Sequence, residues 1–258
     1  MSGTSTNGNP TIERMVMILN ALERAPSGLS QSDLVQQTGL ARSTVYRILN
    51  SLADSRLLRE TAPGTYVFGN RFLELAARVT PTSHFFSLAR YLQSDLEALA
   101  ANIGQSCKIS VYENGAIMVV AGATAKRPHA LNYEIGEYLP VHAGGASKVL
   151  MAYLPDDERE RLLRKNPVAL TERTITDRNQ LRKELAEVRA QGWAEDRGEY
   201  SLSVSAFAAP IRDHTGAVIA ALSVPFLTTA DEALRDRLRA ETISGADKLS
   251  RLIAHYAG

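Results

Sequence analysis

Arg42, Ser43, Thr44, Tyr46 and Arg47 crowd guanidinium, hydroxyl and phenol groups into one short segment. Hydroxyls of this kind bond phosphates, and a guanidinium can grip a base edge with two hydrogen bonds, each good bidentate pair discriminating by ~1–3 kcal/mol. The chemistry on offer is recognition of duplex DNA, provided these side chains share an exposed face. Val45, Ile48, Leu49 and Leu52 recur at i, i+3, i+4 and i+7, which predicts a helix with one buried stripe and with Ser43, Arg47 and Asn50 turned the opposite way. Arg42, Thr44 and Tyr46 flank that outer face.

The element that must position this helix precedes it. Ser30 can cap a helix, with Asp33 as the acidic partner of a capping box, Leu34 and Val35 entering the core, and Gly39 as the left-handed stop. Two short helices joined by a Gly-containing turn have the form of a helix-turn-helix. Ala41 is a poor cap, so tertiary contacts are expected to hold the start of the second helix. The alternative is an ordinary amphipathic helix pair with a solvated polar face. A hairpin weighs against it: Leu57 to Glu60 and Thr65 to Phe68 read as strands around Ala62-Pro63-Gly64, which adds a wing.

Composition bounds the remaining possibilities. At 258 residues, 45% hydrophobic and 22% charged, the chain has room for two globular domains. No apolar run approaches the ~20 residues that cross a bilayer, and MSGTSTNGNP has no hydrophobic leader, so a cytoplasmic protein with no membrane association is expected. The single cysteine, Cys107, excludes an intrachain disulfide and is predicted to sit inert in a strand. His84, His129, His142, His214 and His255 show no paired spacing, so neither a metal site nor a cofactor is expected. Residues 1–80 hold eight Arg, six acidic residues and no Lys. A unit this weakly basic neutralises few phosphates, which argues for two or more copies acting together on DNA.

Periodicity organises the rest. Ile12, Met15, Val16, Leu19 and Leu22 mark a helix ended by Pro26 and Gly28. Phe72, Leu75, Ala76 and Val79 mark a connecting helix that stops before Thr80-Pro81. A long helix follows from Phe85 to Ile103. Ser106 to Tyr112 and Ile117 to Ala121 then form a hairpin around Glu113-Asn114-Gly115. Residues 141–165 and 177–191 read as helices, the second capped by Thr176 and stopped by Gly192. Ser205 to Ile211 and Ala217 to Val224 read as strands, and a last helix spans Asp231 to His255. The fold class is α+β, with an antiparallel sheet flanked by helices in the second part. The expected divisions are a flexible stretch 1–10, a winged helix-turn-helix 11–69, a linker helix 70–82 and a second domain 83–258. No nucleophile elbow, P-loop or dinucleotide fingerprint is present, so no catalytic residues are assigned; an enzyme or a protein-binding scaffold carrying a winged helix remains the competing reading.

GLARSTVYRILNSL at Gly39 to Leu52, TYVFGNRFLELA at Thr65 to Ala76, LPVHAGGASKVLMAYL at Leu139 to Leu154 and SAFAAPIRDHTGAVIAALSV at Ser205 to Val224 together resemble the IclR family of bacterial transcriptional regulators over nearly the whole chain. The resemblance implies a DNA-binding winged helix, a linker helix and a GAF-like effector-binding domain in a homodimer or homotetramer, a repressor of a catabolic operon answering to a small organic or aromatic acid. It makes Gly145 and Ala146 the residues whose amides hold an effector carboxylate, and Asp196 an acceptor for an effector hydroxyl. Val204, Ala206 and Ser223, with Tyr133 and Phe207, are expected along the same pocket.

Plainer readings stand beside these. Gly144-Gly145-Ala146-Ser147 also suits a tight packing turn, although it opens a helix whose dipole favours an anion by ~0.3–1 kcal/mol. Asp196 beside Glu195 and Arg197 also suits a solvated strand end, and core packing is the commoner fate of the other lining residues. Ala206 stands where relatives often have cysteine, Ser203 where glycine is frequent, and Pro225 where small hydrophilic residues are common. A less polar wall follows, which suits an acid with a larger apolar or aromatic body rather than a two- or three-carbon keto acid.

Overall fold

The Asn9 side chain accepts the backbone N–H of Thr11 at 3.0 Å and Pro10 fills the first turn, so α1 (Pro10–Glu23) begins on a cap and a residue that needs no donor partner. The computed structural model describes residues 9–79, 84–127, 130–131 and 133–256. The stretch expected to be flexible, and the Thr80-Pro81 stop, fall outside these except for Asn9 and Pro10. The chain divides into two units, 1–82 and 83–258.

In the first unit, β1 (Leu29–Ser30) leads into α2 (Gln31–Thr38), followed by α3 (Arg42–Asp54), β2 (Leu58–Ala62), β3 (Thr65–Phe68) and α4 (Arg71–Val79). Ser30 Oγ accepts from Asp33 N at 3.2 Å while Asp33 Oδ2 accepts from Ser30 N at 2.9 Å, a complete capping box. The Ser30 hydroxyl, which donates to that carboxylate at 2.7 Å, and the Ser30 N–H hold the Asp33 carboxyl below its usual range. Gly39, at φ 68°, ends α2. Ile18, Leu22, Leu34, Val45, Ile48, Leu49, Leu52 and Leu58 make the small core. The wing is a three-stranded sheet of order β1-β3-β2; β1, too short to show a period, was not foreseen.

The second unit comprises α5 (His84–Ile103), β4 (Cys107–Glu113), β5 (Ala116–Ala123), β6 (Tyr138–Leu139), α6 (Gly145–Tyr153), α7 (Asp156–Leu163), α8 (Arg178–Gln191), β7 (Ala194–Ser201), β8 (Val204–Arg212), β9 (Val218–Leu227) and α9 (Glu232–Tyr256). The six strands form one antiparallel sheet, β6-β5-β4-β9-β8-β7. Strand alternation sends Cys107, Ile109, Phe207, Ala209, Leu222 and Val224 to the face covered by α5 and α9, and Ala208 and Ala221 to the face covered by α6, α7 and α8. Burial pushes the Cys107 thiol up to about 12, an inert side chain.

Two expectations are corrected here. Residues 141–165 form two helices, because Pro155 follows Leu154, which is held extended (ψ 153°). The cap of α8 is Asp177, whose carboxylate accepts from Gln180 N at 2.7 Å, rather than Thr176. Both edge strands lie in segments left unassigned from the sequence: the charged Ala194–Ser201 at one edge and β6 at the other.

Candidate functional site

The helix α3 carries Arg42, Ser43, Tyr46 and Arg47 exposed, with Thr44 half-buried. Opposite them Val45, Ile48, Leu49 and Leu52 are buried, so packing alone fixes which face looks outward. Ala41 gives no side-chain cap; the Gln31 amide donates to Arg42 O at 3.2 Å and ties the start of α3 to α2. Thr44 and Arg47 border a cleft of about 360 Å³ between α3 and α1, shared with Thr11 and Met15. The wing adds exposed Arg59 on β2, a cation that the sequence reading missed because it lies in a strand with no periodicity of its own.

In the second unit one enclosed space brings together all six expected ligand-site residues: Gly145, Ala146, Asp196, Val204, Ala206 and Ser223. Its volume is about 60 Å³, room for a few waters. The floor is the α6-facing side of the sheet and the roof is the first turn of α6. Gly144 makes that turn with φ 101° and ψ 146°, a region open essentially to glycine. A Cβ on Gly145 would stand 3.2 Å from that of Ala208, so the helix start rests directly on β8. The hydroxyls of Ser147 and Ser223 are buried and have no hydrogen-bond partner, which in a folded protein calls for an explanation. Lys108 and Tyr200, which the sequence reading did not single out, also line the space. Burial lowers the Lys108 ammonium, opposed by Glu137 and Asp196. The Tyr200 hydroxyl lies 3.4 Å from Glu137 Oε1.

Two further lining residues proposed from the sequence sit elsewhere. Phe207 has the opposite strand parity from Ala206; its ring packs against Phe226 at 5.1 Å and Trp193 at 5.8 Å in the core under α5 and α9. Tyr133 covers Gly122, where no Cβ would fit, and borders a separate cleft of about 480 Å³ beside α5.

Asp196 is a buried residue within a strand rather than a solvated strand end. Its Oδ1 accepts from Glu199 N at 2.7 Å, which closes the bulge made by Arg197 and Gly198 (φ 84°). Desolvation raises the Asp196 carboxyl, with backbone N–H groups and Lys148 opposing. Thr171 Oγ1 donates to Gly198 O and Thr174 Oγ1 to Glu199 O, both at 2.7 Å, pinning the bulge from outside. From inside, the fully buried Lys148 ammonium meets Glu184 at 2.7 Å, Glu199 at 2.6 Å and the Glu195 carbonyl. Such an ion cluster is costly to break because removing one partner strands the others. It fastens α6 to α8 and to β7, and both α6 and β7 line the cavity.

A winged helix-turn-helix with cations and hydroxyls outward, in one chain with an α+β unit that holds a mostly apolar cavity with a few polar groups at a helix start, defines a transcriptional regulator with a DNA-binding domain and an effector domain. Residues 11–62 match the IclR helix-turn-helix domain and residues 83–251 the bacterial transcriptional regulator IclR C-terminal domain. The chain belongs to the IclR family of bacterial transcriptional regulators. It is 31% identical over 223 residues to the HTH-type transcriptional regulator Rv1719 of Mycobacterium tuberculosis, covering 86% of this chain and 84% of that one. A solved transcriptional regulator from Rhodococcus sp. RHA1 is 27% identical with a TM-score of 0.77, over 96% of this chain and 100% of that one. An IclR homolog from Microbacterium hydrocarbonoxydans, crystallised with 4-hydroxybenzoate, shares the fold at 24% identity and TM-score 0.74, over 93% and 99% of the two chains.

Proposed function

We propose that this protein represses a catabolic operon by binding a pseudo-palindromic operator as a homodimer or pair of dimers, and that a small carboxylic acid with an apolar or aromatic body alters that binding. The buried, unpartnered hydroxyls of Ser147 and Ser223 carry the ligand half of the reading, since a carboxylate bound at the start of α6 would satisfy both. Gly145 and Ala146 offer amides at that helix start, and Asp196 an acceptor beyond it. Val204, Ala206 and Pro225 supply the apolar wall.

The enclosed volume is well below the roughly 300–1,000 Å³ of ligand pockets. An aromatic acid therefore enters only if a wall moves, and Tyr200, half out of the cavity and loosely held at Glu137, is the wall most easily displaced. Binding coupled to that movement shifts the balance between domain arrangements by the difference in affinity for them. The reading is cytoplasmic and non-enzymatic, in line with the regulator names of its relatives; among the described residues no helix is long and apolar enough to cross a membrane.

The DNA half assigns Arg42, Ser43, Thr44, Tyr46 and Arg47 to the operator, with Arg59 on the wing. The test is fluorescence anisotropy on DNA from upstream of the gene, with and without a panel of aliphatic and aromatic acids. Specific binding released by one acid is expected. Arg47→Ala should weaken specific binding by about 10- to 100-fold, the size of one bidentate base contact, with fold and oligomeric state unchanged. Equal operator affinity for that variant sinks the assignment of α3 as the reading helix.

A further inference from the structure

A row of register-paired residues crosses the cavity floor and ends on a cation. Lys108 stands opposite Ser223 on the β4–β9 ladder, and Ser223 opposite Ala208 on the β8–β9 ladder. Gly145, at the start of α6, rests on Ala208. Neighbouring strands are about 4.8 Å apart, so Lys108 lies two strands, roughly 10 Å of backbone, from the helix start, with the Ser223 hydroxyl between them. Among the described residues, Lys108 is the one cation lining this space and Asp196 the one carboxylate, one residue row over on β7.

We propose that Lys108 is the counter-ion of the effector's carboxylate, the residue that makes this cavity select a monocarboxylate over its neutral isostere. The inference rests on the proposed ligand-responsive role and deepens it. Three anion-seeking features converge on the Ser223 position: the positive end of the α6 dipole, two hydroxyls with no partner, and an ammonium on a stem long enough to reach inward. A half-buried ammonium that loses water on one side gains most from a partner of opposite charge. Asp196 sets the other limit. A second carboxylate at the far end of the ligand would face it in a poorly hydrated space, so dianions are rejected, whereas a hydroxyl there can donate to it.

The full-length protein is titrated calorimetrically with 4-hydroxybenzoate and butyrate, with 4-hydroxybenzamide and butyramide as neutral isosteres, and with terephthalate as a dianion. At least one of the two acids is expected to bind about tenfold or more tighter than its amide, and terephthalate weakly. Lys108→Met should cut acid affinity about 10- to 100-fold, the worth of a charge-assisted hydrogen bond, and leave amide affinity unchanged. Lys108→Arg should keep the preference for acid. An acid preference that survives Lys108→Met, a wild type that treats acid and amide alike, or one that binds neither acid overturns the proposal. Operator binding is measured on the same three proteins and should be unaffected without ligand. A wild type that recognises no upstream DNA defeats the regulator reading separately, whatever the acid preference.

Discussion

Asp196 shows how one buried side chain can serve structure and ligand at once, and how its cost can be measured. Its carboxyl is raised above the ordinary value of 3.8, chiefly by desolvation. In the window between 3.8 and that raised value the native state holds a proton that the unfolded chain has released. Stability from this group is therefore highest below 3.8 and falls as pH rises through the folded value. Glu158 acts with the opposite sign: Arg161 and Tyr112 hold it at about 2, so its contribution is lost as pH falls. Substituting only residue 196 cancels the Glu158 effect in the difference. Asp196→Asn keeps an oxygen for the Glu199 N–H and removes the charge. The melting temperature of the variant minus that of wild type should be smallest near pH 4 and grow toward neutral pH. A flat or inverted difference would mean that Asp196 is not desolvated in the folded protein. At this scale the sequence was informative about which residues gather at the cavity but not about Lys108, whose cationic type in an apolar-alternating strand was the available signal. It also misassigned Phe207, because Ala206 and Phe207 cannot share a face of one strand.

The elements that hold the cavity differ in how openly the sequence displays them. Helices with caps and stripes, such as α2 between Ser30 and Gly39, and the β4–β5 hairpin at Asn114-Gly115, are local in origin, and their residues announce them. Strand β7 is not local. AEDRGEYS carries four charged residues, and its plainer reading at Asp196 is a solvated strand end, yet Glu195, Asp196 and Glu199 are buried. They tolerate burial because Lys148, Arg235 and Arg197 reach them from α6, α9 and β7 itself. Only Arg197 is local; Lys148 and Arg235 lie tens of residues away, and the hint was one lysine in the mostly apolar GASKVLMAY helix. The start of α6 depends on Gly144 in the same non-local way. A side chain there is forced into a backbone region that costs of order 1–3 kcal/mol. Gly144→Ala should therefore lower stability by about that amount in denaturant titrations and weaken acid binding, because the first turn of α6 shifts off β8. Unchanged acid affinity in a destabilised variant would remove that turn from the ligand site.

At the scale of the molecule, charge and exposed apolar surface point to the same requirement. The first eighty residues are only slightly basic, so a single copy offers few phosphate contacts, and one recognition helix reads one half-site. Useful affinity then depends on joining two copies, which turns the second half-site contact into an intramolecular event with gains of about 10²- to 10⁴-fold. The same unit leaves Ile12 55% exposed on α1 and Leu73 71% exposed on α4, with Val16 and Leu75 also in water. Large apolar side chains exposed in this number on a small unit suit the contact surface that the proposed pairing of two copies requires. Leu73 is on α4 and exposed, not among the α3 residues assigned to DNA, so replacing it should disturb assembly more than DNA reading. Leu73→Asp is expected to shift the protein toward monomer in sedimentation velocity and to lower affinity for a two-half-site operator by about 10²-fold or more, while affinity for a single half-site stays as in wild type. Equal loss on both DNAs would place the damage in the DNA-reading surface. A variant that sediments as the wild type does would take Leu73 out of the proposed contact between copies.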